Sequence, residues 1–282
     1  MNILSIQSSV AYGHAGNSSA VFPLQRLGYE VWPVYTVHFS NHTGYGEWRG
    51  PVFDPETIAD VITGIEERGV LGECDAVLSG YQGGERVGAV ILDAVARVKA
   101  ANPKAIYCAD PVMGDVGRGF FVRPGIPEFM RDRVIPAADI VTPNQFELDF
   151  LTGREVHTVA DLLESADALR ERGPRTVLIT SVQTDQTPAD SVQLAVVTDA
   201  GAWMVTTPLL PMYVSGAGDA TAAIFLAHWL RADPANALAD TADSVYSIME
   251  RTHNAGTREI QLIASQDEIA HPQGRFEVTR LR

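Results

Sequence analysis

One local pattern repeats along the chain: a short apolar run rich in β-branched residues, then a longer run with helical spacing. Strand-like runs fall at 3–7, 30–37, 75–79, 105–109, 139–142 and 176–180. Helical patterns fall at 16–27, 54–68, 85–101, 145–151 and 158–172. Strands that alternate with helices pair in parallel, and the helices then cover both faces of the sheet. The helix at 54–68 has a well-marked start, with Asp54 as N-cap and Pro55 in its first turn. Runs at 194–198 and 203–206, joined by Asp199-Ala200-Gly201-Ala202, predict a hairpin. Another helix is predicted over 234–251, followed by a tail with segments at 259–263 and 266–269. No internal repeat, low-complexity tract or linker interrupts the pattern. The expected fold is α/β, a central mostly parallel sheet with helices on both faces, as one domain over residues 1–282.

Composition narrows the function. Hydrophobic residues make up 46% of the chain, enough for a sizeable core. A net charge of −14 argues against a nucleic-acid or anionic membrane surface. It leaves a phosphate ligand open, since local amide dipoles and a bound Mg²⁺ overrule a global charge. No apolar run reaches the roughly 18–20 residues of a membrane span. Met1-Asn2-Ile3-Leu4-Ser5-Ile6 lacks a basic leader and is read as a strand. The two cysteines, Cys74 and Cys108, sit on or beside apolar runs and are read as buried free thiols, which fits a reducing cytoplasm.

In parallel sheets, ligands bind beyond the carboxyl ends of the strands. Polar residues cluster at those ends here. Strand runs exit into Gln7-Ser8-Ser9, His38-Phe39-Ser40-Asn41-His42-Thr43, Ser79-Gly80-Tyr81, Asp110-Pro111-Val112-Met113-Gly114-Asp115, Thr142-Pro143-Asn144 with Glu147, and Thr180-Ser181. Scattered surface polarity would not produce that pattern, so a shared active-site rim is expected.

Ser215-Gly216-Ala217-Gly218-Asp219 precedes an apolar helical run. Gly216 and Gly218 let the backbone approach a ligand, and the free N–H groups of a helix start face an anion. Asp219 would place a base beside that anion hole. Phosphoryl transfer needs those parts together: donors for the moving phosphate and an acceptor for the attacking hydroxyl's proton. Alone the motif is weak, because glycine-rich turns before helices are common. Asp110, Asp115, Asn144 and Glu147 supply oxygen ligands that suit a hydrated Mg²⁺ on nucleotide phosphates. Their alternative reading is ordinary turn chemistry. Thr180 and Ser181 either donate to a phosphate oxygen or simply end a strand in hydroxyls. His42 either contacts substrate or packs in a polar turn, and the same holds for His14. Tyr81 either stacks on a flat ring or caps the core. The segment 39–53, with Gly44, Tyr45, Gly46 and Trp48, is either a mobile flap that excludes water or a rigid surface hairpin. P-loop, protein-kinase, zinc-protease, nucleophile-elbow and dinucleotide-binding signatures are all absent.

Taken in order, Ile6-Gln7-Ser8, Gly13-His14-Ala15-Gly16-Asn17, Phe39-Ser40-Asn41-His42-Thr43-Gly44-Tyr45, Leu78-Ser79-Gly80-Tyr81, Asp110-Pro111-Val112-Met113-Gly114-Asp115, Thr142-Pro143-Asn144-Gln145-Phe146-Glu147 and Gly216-Ala217-Gly218-Asp219 resemble the pyridoxal kinases of the ribokinase superfamily. The resemblance runs from residue 3 to the Glu259-Ile260-Gln261-Leu262 segment. The S-N-H-T-G-Y and D-P-V-M-G-D blocks are particular to that branch, while G-A-G-D marks only the superfamily. The resemblance implies a ribokinase-like fold and ATP-dependent phosphorylation of the 5′-hydroxymethyl group of pyridoxal, and of pyridoxine and pyridoxamine, for vitamin B6 salvage. It implies Asp219 as base, with the amides of Gly216, Ala217 and Gly218 as anion hole. It assigns Asp110, Thr142, Asn144, Glu147, Thr180 and Ser181 to ATP, with Asp110, Asp115 and Glu147 at metal positions and Asp115 linked to metal or a monovalent cation such as K⁺. It sets Ser8, His42, Thr43 and Tyr81 around the pyridine ring. It further implies Mg²⁺, a cytoplasmic homodimer, and no nucleic-acid or membrane partner.

The chain departs from that pattern in places. Some bacterial members carry Lys where this chain has Thr180, and Phe121 stands where a Tyr is often found. The segment 209–213, expected along the nucleotide, is not diagnostic. Other readings are a hydroxymethylpyrimidine or sugar kinase on the same scaffold, and a non-catalytic vitamer-binding protein.

Overall fold

The computed structural model describes residues 1–282. In chain order the elements are β1 (Asn2–Val10), α1 (Asn17–Arg26), β2 (Glu30–Phe39), α2 (Pro55–Glu67), β3 (Cys74–Ser79), α3 (Glu85–Ala101), β4 (Ile106–Ala109), β5 (Gly114–Asp115), β6 (Gly119–Phe120), α4 (Ile126–Phe129), β7 (Ile140–Val141), α5 (Gln145–Thr152), α6 (Val159–Arg170), β8 (Thr176–Val182), β9 (Ser191–Thr198), β10 (Gly201–Pro208), α7 (Ala217–Trp229), α8 (Pro234–Ala255), α9 (Gln266–Ala270) and β11 (Val278–Arg280). A nine-stranded sheet has the order β11-β10-β9-β8-β7-β4-β3-β1-β2. From β2 to β8 every pairing is parallel, and β8, β9, β10 and β11 pair antiparallel. No helix is long and apolar enough to cross a membrane.

Strand side chains alternate between two cores. Leu4, Ile6, Val77, Tyr107, Ala109, Val177 and Ile179 enter a cluster of 36 buried residues completed by α2, α3, α5 and α6. Ile3, Ala76, Leu78, Cys108 and Leu178 enter one of 21, completed by α1, α7 and α8. Period-two strands packed on both faces give this division directly. Helix α7 is buried at every position from Ala220 to Ala227, so it is a core helix wedged among neighbours rather than an amphipathic surface helix. Both cysteines are free and buried, and burial pushes the Cys74 thiol up to about 11.

Several boundaries differ from expectation. The predicted strand over 139–142 shortens to β7, because Asp139 turns aside to accept from the Tyr107 amide (2.7 Å) and from Lys99 (2.7 Å). The strand predicted over 176–180 extends to Val182. The segment 259–263 forms only an isolated bridge, Ser215 to Glu259. The small hairpin of β5 and β6 and the edge strand β11 were not predicted, being too short for a periodic signal.

Helix α6 starts on a reciprocal cap. Thr158 Oγ1 accepts from the Asp161 amide (3.1 Å), and Asp161 Oδ2 accepts from the Thr158 amide (2.8 Å). Thr158→Ala is expected to cost about 1 kcal/mol and to lower Tm by roughly 2–4 °C, without changing activity. Calorimetry measures this, and an unchanged Tm would show that the cap contributes nothing.

Candidate active site

A cavity of about 440 Å³ opens beyond the carboxyl ends of the parallel strands. It is lined by Ser8, His42, Thr43, Tyr81, Asp110, Asp115, Thr142, Asn144, Glu147, Thr180, Ser181, Gly216, Ala217, Gly218 and Asp219, so the residues singled out in the sequence meet in one place. His14 does not line it. Arg118, Phe121 and Tyr213 also line the cavity.

The floor is the start of α7. Gly216 is the N-cap, with φ 86°, and no side chain caps the helix. A Cβ at Gly216 would stand 2.1 Å from the carbonyl oxygen of His14. Only glycine fits there. The Gly216 carbonyl is held by Ser19 Oγ (2.6 Å), which fixes the turn. The start of α7 therefore lines the cavity with no side chain capping it, and a helix start left open in this way accepts an anion. Asp219 is the third residue of α7. Burial holds its carboxyl above the usual carboxylate range, against the pull of the Gly16 amide and its own.

Two β-bulges place residues on the cavity wall. The register of β1 against β2 shifts between Gln7 and Ser9, leaving Ser8 out of the ladder and on the cavity wall. The register of β8 against β9 shifts between Ile179 and Val182. Ser181 lies within that second bulge and is the one non-glycine residue with positive φ, 54°. Bulges re-aim side chains and collect beside active sites, and a strained non-glycine residue persists only where its surroundings enforce it. Asn17 ties the first bulge down, donating from Nδ2 to Ser5 (3.2 Å) and Val34 (3.0 Å) carbonyls.

The carboxylates divide by their partners. Asp110 is buried, and its Oδ1 accepts from Thr142 Oγ1 at 3.0 Å. Burial and then the Asp219 charge push it up to about 8. Glu147 is buried and capped. Its Oε1 accepts from the amides of Met113 (2.8 Å) and Gly114 (3.4 Å), and its Oε2 from that of Asn144 (3.0 Å). Burial, then Asp110, holds Glu147 well above the carboxylate range despite those amides. Asn144 returns the cap, accepting from the Glu147 amide (2.9 Å) and donating to the Gly114 carbonyl (2.8 Å). Thr142-Pro143-Asn144-Gln145-Phe146-Glu147 thus builds a capping box that holds the Asp110 loop to α5. Asp115 Oδ1 accepts from the next amide, Val116, at 2.8 Å. Buried like charges faced by oxygen donors suit a hard divalent cation. No three His, Cys, Asp or Glu side chains stand close enough to hold one by themselves. An ion bound here would need further ligands from a bound molecule or water.

On the opposite wall, His42 Nδ1 accepts from the Gly44 amide at 3.0 Å and lies 2.9 Å from Ser215 Oγ. An Nδ1 that accepts leaves the proton on Nε2. Burial lowers the imidazole pKa, so the neutral ring is favoured. The segment 39–53 folds back on β2 through the His38–Pro51 (3.0 Å) and Ser40–Arg49 (2.7 Å) backbone bonds. Its tip is moored. Tyr45 donates to Glu259 Oε1 (2.7 Å), the His14 amide donates to Glu259 Oε2 (3.0 Å), and Arg258 donates to the Gly44 carbonyl. The bond to Glu259 pushes the Tyr45 phenol up to about 12.

Comparison with known proteins agrees with this geometry. The sequence model of the phosphomethylpyrimidine kinase family matches residues 69–262. The pyridoxal kinase PdxY of Rubrobacter xylanophilus is 60% identical over 100% of this chain and 98% of its own. That of Leifsonia xyli is 57% identical over the full length of both. Among solved structures, the pyridoxal kinase of Leishmania donovani in complex with ADP and pyridoxamine superposes with a TM-score of 0.93 at 29% identity, covering 100% of this chain and 99% of that one. Full-length identity at this level, on a fold shared end to end, shows that the chain belongs to the pyridoxal kinase family.

Proposed function

We infer that the chain transfers the γ-phosphoryl group of ATP to the 5′-hydroxymethyl oxygen of pyridoxal. One observation carries the mechanism: an uncapped helix start opens into the cavity with a half-buried carboxylate at its third residue. Asp219 accepts the alcohol's proton as the oxygen attacks in line. The amides of Gly216, Ala217 and Gly218 receive the charge of the moving PO₃ unit. In a loose transition state most of the catalysis is positioning and charge stabilisation, so a carboxylate that accepts its proton late is adequate. Ser8, presented by its bulge, and Thr43 hydrogen-bond the pyridine ring, with Tyr81 beside it and the Nε2–H of His42 as a further donor. Thr180 and Ser181 meet phosphate oxygens. Asp110 holds Mg²⁺, directly or through water. Glu147 and Asn144, their oxygens engaged by amides, act from behind by fixing the Met113 and Gly114 backbone that follows Asp110. When bound, Mg²⁺ neutralises phosphate charge and orients the triphosphate. A monovalent cation at Asp115, a homodimer and a cytoplasmic setting are proposed on the resemblance, the last with support from two free thiols.

Coupled ADP release tests the reading. Pyridoxal, pyridoxine and pyridoxamine should each release ADP when Mg²⁺ is present, and none should after chelation. A clear preference for hydroxymethylpyrimidine or ribose would overturn the substrate. Tight pyridoxal binding without ADP release would make the protein a carrier.

A further inference from the structure

The cavity is short of positive charge. Asp110, Asp115, Glu147 and Asp219 all line it, yet Arg118 is the single lysine or arginine among its lining residues. A triphosphate brought among these acidic side chains meets one cationic side chain besides any metal. The amides of a helix start supply only partial charge.

Arg118 is that side chain. It sits between Gly117 (φ 78°) and Gly119 (φ 67°), and nothing lies within 4 Å of where a Cβ would stand at either. The turn therefore has room around it. The guanidinium lies 4.7 Å from the Tyr213 ring centre and 5.4 Å from that of Phe121, and it donates to the Tyr213 hydroxyl. It forms no ion pair, although the chain carries 35 acidic residues against 21 Lys and Arg. Tyr213 lies on the segment that leads into Gly216, where the anion hole begins. The charge already contributes to the low imidazole pKa of His42 on the far wall, after burial. Contacts of an exposed guanidinium with aromatic rings are weak beside a bidentate pair with a phosphate.

We propose that Arg118 is a catalytic residue that leaves Tyr213 and Phe121 when nucleotide enters and donates to the non-bridging oxygens of the terminal phosphate. This rests on the ATP-dependent reading above. In the step it serves, a bond forms between the alcohol oxygen and the γ-phosphorus. The bond from that phosphorus to the β–γ bridging oxygen breaks. ADP leaves with the electron pair, and the alcohol's proton passes to Asp219. Arg118 gives up no proton; it offsets the charge on the equatorial oxygens. Phe121, next to it in the cavity, has no hydroxyl to do this.

Arg118→Ala and Arg118→Lys, compared with Tyr213→Phe, decide the matter. Binding of ATP, ADP and AMP is measured by calorimetry, and kcat and KM by ADP release. For Arg118→Ala we expect ATP affinity to fall at least about tenfold with AMP affinity unchanged, and kcat to fall about 100-fold, in the range of losing one preorganised donor. The KM for pyridoxal should hold, free guanidinium should restore part of the rate, and Arg118→Lys should fall between. Tyr213→Phe, which removes only the hydroxyl and keeps the guanidinium, should lower kcat far less than Arg118→Ala does. If ATP and AMP weaken alike, or kcat of Arg118→Ala stays within about threefold of the parent, Arg118 only braces the turn and the proposal fails. The ATP-against-AMP comparison needs no alcohol, so it still decides Arg118 if the parent enzyme proves inactive on pyridoxal.

Discussion

Asp219→Asn lowers kcat by roughly 10²–10⁴-fold, the usual span for loss of a general base, while ATP binds as before. Asparagine keeps the shape and one acceptor oxygen, so the floor of α7 should stay in place and the loss should fall on kcat rather than on ATP affinity. The pH dependence identifies the group. Burial raises the Asp219 carboxyl pKa. A base works only when deprotonated, so turnover of the parent enzyme falls as pH drops through that raised value. The acid limb should disappear in Asp219→Asn. Stopped-flow or coupled assays across pH measure both. Turnover within a few-fold of the parent, or an acid limb that survives unchanged, would remove Asp219 from the role.

Asp110→Asn has two effects of opposite sign. The carboxyl sits near about 8 in the folded protein against 3.8 unperturbed, from burial first and from Asp219 second. A raised pKa means that the folded state binds this proton more tightly than the unfolded chain does. Its contribution to stability is therefore fully present below pH 4 and is lost as pH climbs through 8. Without ligand, the deprotonated protein thus carries a buried, repelled charge at pH 8. Asparagine removes the charge and keeps an oxygen that accepts from Thr142. The variant should melt about 5 °C higher at pH 8, at roughly 2–4 °C per kcal/mol for chains of this size. The gain should shrink towards pH 5. Activity should fall at least about 100-fold, with a weakened response to Mg²⁺, as when a residue that supports a metal is lost. Active sites often store instability of this kind. A lower Tm at pH 8, or a gain independent of pH, would contradict the account.

The sequence carried the scaffold and the rim for identifiable reasons. Alternating apolar runs marked the parallel strands, and Asp110, Thr142, Glu147 and Asp219 stood at strand exits or a helix start where any parallel sheet gathers its ligands. The spacing of Asn144 and Glu147 allows ligand chemistry or turn chemistry alike; the hydrogen bonds show a capping box. The bulges at Ser8 and Ser181 were illegible because a register shift belongs to a pair of strands, not to either alone. Arg118 was missed because a lone arginine between two glycines has no periodicity, and its meaning lies in the charges across the cavity. The mooring of Tyr45 to Glu259 spans 214 positions and could only emerge from the fold.

Helix α7, enclosed from Ala220 to Ala227, has nowhere to slide. The reference point for the chemistry is therefore stationary, and adjustment belongs to the surrounding segments: the stretch over β2, the short hairpin bearing Arg118, and the strand exits. Such a division lets the preference for one alcohol over another drift through changes at the perimeter while the transfer apparatus stays untouched. Engineering a new acceptor into this enzyme should begin at the perimeter.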